Sequence, residues 1–371
     1  MAGIYIHIPF CKQACHYCNF HFATSLHYKN ELVAALLKEI TIRKSYLENE
    51  AVETIYFGGG TPSLCTKDEI QTILAAIHSS FMVVKKAEIT LEANPDDITA
   101  ETLAGWKESG INRLSIGIQS FFEEDLHWMN RAHTAQQAID NLQLAKSFFD
   151  NITIDLIYGT PGLTNEKWKY NVDTAIAAGI PHLSCYALTV EPRTPLDKMI
   201  KQHKSESVDP DTQSAQFLLL MQWLEDAGYE HYEISNFAKR GWRSRHNSSY
   251  WSIRPGGYGT KYLGLGPSAH SFNGSSRQWN IANNNQYIDA IGKGTVLFER
   301  EELTETQQLN EYIMTSLRTI EGIDLAIAGS RLLDKSKKFI ANGLMKLENN
   351  SLVLTKEGKL LADGIAAELF S

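Results

Sequence analysis

Between residues 4 and 188 the chain repeats one pattern, a short β-like run followed by an amphipathic helical stretch. That repetition restricts the fold more than any feature of composition. The β-like runs fall at residues 4–8, 52–57, 87–92, 113–119, 152–157 and 182–188. In the first, Ile4, Ile6 and Ile8 alternate with Tyr5 and His7, as a strand requires. Between the first runs, Leu32, Val33, Leu36, Leu37 and Ile40 recur at helical spacing. Thr66-Lys-Asp-Glu69 has the form of a capping box, and Ile70, Ile73, Leu74 and Ile77 continue it as an apolar stripe. Strands recurring every roughly 30–40 residues with helices between them imply right-handed βαβ units and a parallel sheet. Six units fit before residue 190, two short of a full (β/α)8 barrel, so the expected fold class is α/β: a partial (β/α)6 TIM-like barrel.

The second half is less regular. A helix is expected over 211–228 on Phe217, Leu218, Leu220, Met221 and Leu224, then a strand-like run at 231–237 and a glycine- and aromatic-rich stretch to about residue 275. A further helix (Leu309, Tyr312, Ile313, Leu317), a strand at 351–354 and a closing helix over 360–370 suit a smaller C-terminal α+β module of winged-helix type. The expected division is 1–230 for the barrel, 231–295 for a connecting segment and 296–371 for the small domain.

A net charge of −8 and a pI near 5.9 argue against a dedicated nucleic-acid binder. No apolar run reaches the ~20 residues of a membrane span, and no basic-then-apolar leader opens the sequence. A soluble cytoplasmic protein is expected, its thiols kept reduced. Five cysteines are an odd number for a disulfide framework. Cys65 and Cys185, placed singly, read as small buried hydrophobes.

Cys11, Cys15 and Cys18 form a CxxxCxxC array just after the first strand. Three thiolates on one loop can hold three corners of a four-iron cluster, leaving the fourth iron open to a ligand. Zinc is the alternative, with His7, His16 or His21 completing a Cys3His tetrahedron. The second strand ends in Gly58-Gly59-Gly60-Thr61-Pro62, where missing Cβ atoms let backbone approach a ligand. The cysteine loop, this turn, Glu92, Gln119, Asp155 and Tyr186 all fall at the carboxyl ends of expected strands, where parallel barrels place their chemistry.

The cysteine spacing and the GGGTP turn resemble the signature of the radical S-adenosylmethionine (SAM) superfamily. Leu91-Glu-Ala-Asn-Pro95, Ser115-Ile-Gly-Ile-Gln119, Asn130-Arg131 and Ile154-Asp-Leu-Ile-Tyr-Gly-Thr-Pro161 narrow the resemblance. They point to the subgroup containing oxygen-independent coproporphyrinogen III dehydrogenase and the HemW-type heme chaperones. The resemblance implies a [4Fe–4S] cluster on Cys11, Cys15 and Cys18, with SAM beside it. Tyr17 would pack on adenine, Tyr5 would sit beside the cofactor, and Gly59, Gly60 and Thr61 would line the methionyl end. Glu92, Gln119, Arg131 and Asp155 would bind SAM polar groups, and Ala187 would meet adenine through its backbone.

Within the subgroup, the dehydrogenase carries a further cysteine two positions after the third ligand, where this chain has Phe20, and an extension before the motif. His246-Asn-Ser-Ser-Tyr-Trp251 resembles the HNxxYW motif of the chaperone branch. Imidazole is a good axial ligand for heme iron, so His246 is the candidate ligand, with Tyr250 and Trp251 as flat faces for the porphyrin. Lys239, Arg240, Arg243, Arg245, Arg254 and Lys261 have no acidic residue among them, which suits two propionates. The expected function is a chaperone that binds heme b and passes it to apo-heme proteins, membrane respiratory enzymes among them, served by an electron donor and open to homodimerisation. The runner-up is the dehydrogenase, which decarboxylates two propionates by radical chemistry.

Overall fold

A computed structural model describes residues 2–251 and 259–370; Arg254 lies outside the described residues. Six strands follow one another through the first half: β1 (Ala2–Ile8), β2 (Val52–Gly59), β3 (Val83–Ala93), β4 (Arg113–Gln119), β5 (Ile152–Tyr158) and β6 (His182–Ala187). Each pairs in parallel with the next, as the βα alternation requires. Buried on both faces, β1 has the burial of a covered parallel strand. Its inner face carries Gly3, Tyr5 and His7; its outer face packs Ile4, Ile6 and Ile8 against the helices.

Many of the helices begin on threonines. Thr66 caps Lys67–Ser80, accepting from Glu69 N at 3.2 Å while the Glu69 carboxylate accepts from Thr66 N at 2.7 Å. Reciprocal caps recur at Thr99, Thr134 and Thr304, each satisfying backbone donors that a helix start leaves free.

Beyond residue 229 the chain extends the same sheet. The run at 231–237, expected as one strand, is a tight hairpin of β7 (Glu230–Glu233) and β8 (Asn236–Ala238). The Glu233 carboxylate folds back onto Ser235 N and Asn236 Nδ2 and holds the turn. At the other side lie β9 (Lys261–Leu265), β10 (His270–Phe272), β11 (Ser276–Asn280) and β12 (Phe298–Glu302), which sequence periodicity did not reveal. β9 runs parallel to β1. The order is β12-β11-β10-β9-β1-β2-β3-β4-β5-β6-β8-β7, an open sheet whose parallel middle is extended by antiparallel strands at both ends. A small antiparallel sheet follows, with β13 (Ile323–Asp324), β14 (Met345–Glu348) and β15 (Ser351–Leu354). It packs with the helices Arg331–Ala341 and Ala362–Leu369 around a separate apolar cluster that includes Ile313, Leu317, Ile323, Leu352 and Leu369. No helix among the described residues is long and apolar enough to cross a membrane.

A buried carboxylate fastens the antiparallel extension to the barrel. Glu39, on the helix Lys29–Ile42, accepts from Gly266 N (2.8 Å), Asn280 Nδ2 (2.8 Å) and Tyr287 Oη (2.6 Å). Arg43 lies 3.7 Å away and donates to Gln278 Oε1 at 2.8 Å. Removing one partner of a buried pair strands the other's charge, so Glu39→Ala is expected to cost about 3–5 kcal/mol. Glu39→Gln, which keeps an acceptor for the same donors, should cost less; urea denaturation monitored by circular dichroism checks the order.

Candidate cluster and SAM site

Parallel register brings the three βα turns to one level. His7 pairs with Gly58 and Ile8 with Gly59, so the cysteine loop and the glycine turn leave the sheet side by side. Above them opens a cavity of about 430 Å³ lined by Cys11, Cys15 and Cys18 together with Tyr17, Gly59, Gly60, Thr61, Glu92, Gln119, Arg131, Asp155 and Ala187. Every residue expected at the cluster or SAM is there except Tyr5. That ring lies beneath the pocket, its hydroxyl 3.2 Å from His7 Nδ1 and its face against Tyr56 at 6.1 Å.

None of the histidines that zinc would need lines this cavity with the three cysteines. His16 Nδ1–H donates to Trp128 O (2.8 Å), His7 Nε2–H donates to His21 O (2.8 Å), and His21 Nε2 pairs with Asn284 Oδ1 (2.7 Å). Burial pushes the Cys11 thiol up to about 11 and raises Cys18 as well, a penalty that a metal's positive charge would remove by holding them as thiolates. Arg131 puts a half-buried cation beside them: it donates to Cys15 Sγ (3.3 Å), Asn94 Oδ1 (2.7 Å) and Gly117 O (2.9 Å). Its Nε is buried without a hydrogen-bond partner among the described residues, and the guanidinium's charge favours an anionic ligand group in the cavity it lines. Thiols in a triplet, a half-buried guanidinium and two half-buried carboxyls fit a cluster with SAM, and they fit a mononuclear zinc site poorly.

Besides lining the cavity, the glycines let two turns pack together. Gly59 has φ +109°, and a Cβ there would meet the His7 ring at 2.5 Å; at Gly60 it would meet Phe10 O at 2.6 Å. They let the second strand's turn press on β1 and the cysteine loop. Their N–H groups, expected to face a ligand, are taken by Glu92 Oε2 (3.1 Å) and Ile8 O (2.9 Å). Gln119 ends β4 at φ +67°, an uncommon conformation for a side chain of that size, and turns the chain at the pocket wall. Asn94, not singled out from sequence, bridges Arg131 and Thr61, donating to Thr61 Oγ1 at 3.2 Å. Its place in the Leu91-Glu-Ala-Asn-Pro95 segment was the available signal.

The HNxxYW segment lies in the short helix Arg245–Trp251 and is not part of this cavity. His246 is only 2% exposed. Its Nδ1 pairs with Thr54 Oγ1 at 2.8 Å and its Nε2 with Tyr250 Oη at 3.0 Å, so neither nitrogen is presented to an outside iron. Direct ligation by His246 would require one of these bonds to break, and burial pushes its pKa down to about 3. Tyr250 is edge-on to His246 and Tyr262, and Arg318 sits 5.5 Å over the Trp251 ring, so these faces already have neighbours. The basic tract is likewise largely neutralised. Arg243 pairs with Glu230 and Glu321, Arg245 with Glu53, Lys261 with Glu48 and Glu50, and Lys239 donates to Ala227 O.

Three outcomes follow from this geometry. Alanine at Cys11, Cys15 or Cys18 should sharply lower iron and sulfide content after anaerobic reconstitution, with loss of the brown absorption near ~400 nm. Arg131→Ala should weaken SAM binding by about 10–150-fold in calorimetry, the range for a lost hydrogen bond to a charged group. Burial pushes the carboxyls of Glu92 and Asp155 up to about 7, with the Asp155 charge adding to the effect on Glu92. A cationic ligand favours the ionised forms, so SAM affinity should rise as pH increases through about 7. In the ligand-free protein the same shifts act oppositely: the folded state binds more protons between the ordinary carboxylate range and about 7, and stability falls across that window as pH rises.

Residues 5–192 match the model of the Radical SAM superfamily, and residues 303–361 match the HemN C-terminal domain. The chain is 32% identical to the heme chaperone HemW of Mycobacterium tuberculosis over 99% of this chain and 94% of that protein. It is also 32% identical to the heme chaperone HemW of Bacillus subtilis, over 98% of each. Among solved structures, coproporphyrinogen III oxidase (HemN) from Escherichia coli, a radical SAM enzyme, superposes with a TM-score of 0.84 at 22% identity, covering 100% of this chain and 90% of that one. That superposition shows a shared fold. With the family match over half of its length and these full-length relatives, the chain belongs to the radical SAM superfamily and, within it, to the HemW-type family.

Proposed function

We propose that the chain is a heme chaperone that binds heme b and passes it to apo-heme proteins, respiratory membrane enzymes among them. Its pocket would hold a [4Fe–4S] cluster on Cys11, Cys15 and Cys18 with SAM against Glu92 and Asp155. Bound there, the cluster would supply one-electron chemistry at the SAM sulfonium, fed by an external electron donor. The chain's own residues would do the rest. Arg131 would keep positive charge beside the thiols and attract an anionic group of the ligand. Tyr17, Ile157 and Leu188 give the cavity apolar wall for the adenine. Glu92 and Asp155 receive the ammonium or ribose hydroxyls.

The observation carrying the chaperone reading is Phe20. The dehydrogenase pattern has a cysteine at this position; here a phenylalanine ring stands 65% exposed at the lining of the pocket. A phenyl ring can neither ligate metal nor carry protons or electrons as a thiol can. Similarity over the whole chain to proteins named heme chaperones supports the same choice.

Heme titration of the reconstituted protein should give a saturable, shifted Soret band, and incubation with coproporphyrinogen III, SAM and reductant should give no protoporphyrinogen IX. Turnover of coproporphyrinogen would overturn the reading in favour of the dehydrogenase. Sedimentation with and without cluster tests whether loading drives homodimerisation.

A further inference from the structure

Beneath the pocket, the inward faces of β1, β2 and β3 carry polar and aromatic side chains, and the HNxxYW histidine is built into them. Tyr56 Oη donates to Glu92 Oε1 at 2.8 Å, and the other Glu92 oxygen accepts from Gly59 N at 3.1 Å. Tyr56 therefore sets where a pocket carboxylate sits and ties it to the glycine turn. The Tyr56 ring lies between two others: Tyr5 at 6.1 Å and His246 at 4.8 Å, both inclined by 22°. His246 is itself locked, by Thr54 on the same strand face as Tyr56 and by Tyr250 one helical turn on. Its backbone N–H and that of Arg245 donate to the Glu88 carboxylate at 2.9 and 3.1 Å. Glu88 lies on the same inward face of β3 as Glu92, four residues earlier, so this short helix grips the strand that presents Glu92.

We propose that His246 is a positioning residue of the SAM pocket, holding Tyr56 from below so that Tyr56 fixes Glu92 against the glycine turn. The inference rests on the reading that the pocket takes SAM. It gives the HNxxYW histidine a task that its burial and its two internal hydrogen bonds allow, where ligation of heme iron would require undoing them. The order of contacts is His246, Tyr56, Glu92, Gly59. Each link is direct, and each end belongs to a motif recognisable in the sequence.

A core-filling role and a positioning role differ in what a conservative replacement restores. His246→Ala removes the ring under Tyr56, and His246→Phe keeps a flat ring there while removing both hydrogen bonds. Tyr56→Phe keeps the stack and removes only the bond to Glu92. The experiment measures SAM affinity by calorimetry on cluster-reconstituted protein, alongside the thermal unfolding midpoint and the Soret spectrum with heme. The expected result is about tenfold weaker SAM binding in His246→Ala and in Tyr56→Phe, matching the loss of one hydrogen bond to a charged group. His246→Phe should recover most of the affinity although it is no more stable than His246→Ala, and all three should keep the parent's Soret band. SAM affinity equal to the parent's in Tyr56→Phe, or in a folded His246→Ala, would overturn the proposal. So would a His246→Phe protein that is folded yet as weak for SAM as His246→Ala. Should His246→Ala fail to fold, His246→Leu, which keeps side-chain volume but removes the flat ring under Tyr56, takes its place, and parental SAM affinity in that variant would overturn the proposal. Absence of SAM binding in the parent would instead remove the reading of the pocket itself. A Soret change confined to the His246 variants, with SAM affinity unmoved, would return the residue to the iron.

Discussion

The parallel hydrogen-bond register of β1, β2 and β3 is the constraint on which the rest of the molecule depends. It aligns Tyr5 with Tyr56 and His7 with Gly58, and sets Phe57 beside Leu91. Because side chains alternate, a slip of one residue in β2 would send Tyr56 outward and Ile55 inward. The cysteine loop would then no longer meet the glycine turn, and Glu92 would lose both its donors. The outer aliphatic rows enforce this register: Ile4, Ile6, Ile8, Ile55, Phe57 and Leu91 are all essentially inaccessible to water. Apolar burial on the helix side thus fixes the geometry of a polar surface on the other side.

That inner surface is an unusual thing to bury. Thr54, Glu88, Thr90, Ser115, Thr153, His182 and Ser184 are all under 6% exposed. A barrel filled with branched aliphatic side chains would be cheaper to desolvate. Several of these polar groups satisfy one another: Thr153 Oγ1 pairs with His182 Nδ1 (2.6 Å), and His182 Nε2 with Tyr232 Oη (2.7 Å), while Thr90 Oγ1 has no hydrogen-bond partner among the described residues. Such a network holds each member in one orientation. In the cavity above, burial pushes the carboxyls of Glu92 and Asp155 up to about 7, against the lowering effect of hydrogen bonds from Tyr56 and Ser184.

Much of this was legible in the sequence, for physical reasons. Helical stripes and β-runs in the first half stand out because each element buries one face against the sheet, and the capping threonines punctuate them. The pocket residues were legible because parallel strands deliver their carboxyl ends to one place. The strands β9 to β12 were not. They are three to five residues long, carry residues such as Ser276, Arg277 and Gln278, and are held by Glu39 and Arg43 from a helix more than 200 residues earlier. Nothing local announces such pairing. The same non-locality misled the view of residues 239–261 as a free basic tract, since Glu230, Glu321, Glu53, Glu48 and Glu50 neutralise it from other parts of the chain. For His246, residue type suggested a ligand, and only burial shows which way its nitrogens are committed.

The position of β1 between β2 and β9 has a consequence for biosynthesis. β2 is made soon after β1, but the partner for its other edge ends at Leu265, 206 residues beyond Gly59 (265 − 59). At ~5–20 residues per second the ribosome takes about 10–40 s to supply it. During that interval the edge of β1, and the thiol loop it carries, is an unpaired strand open to other chains.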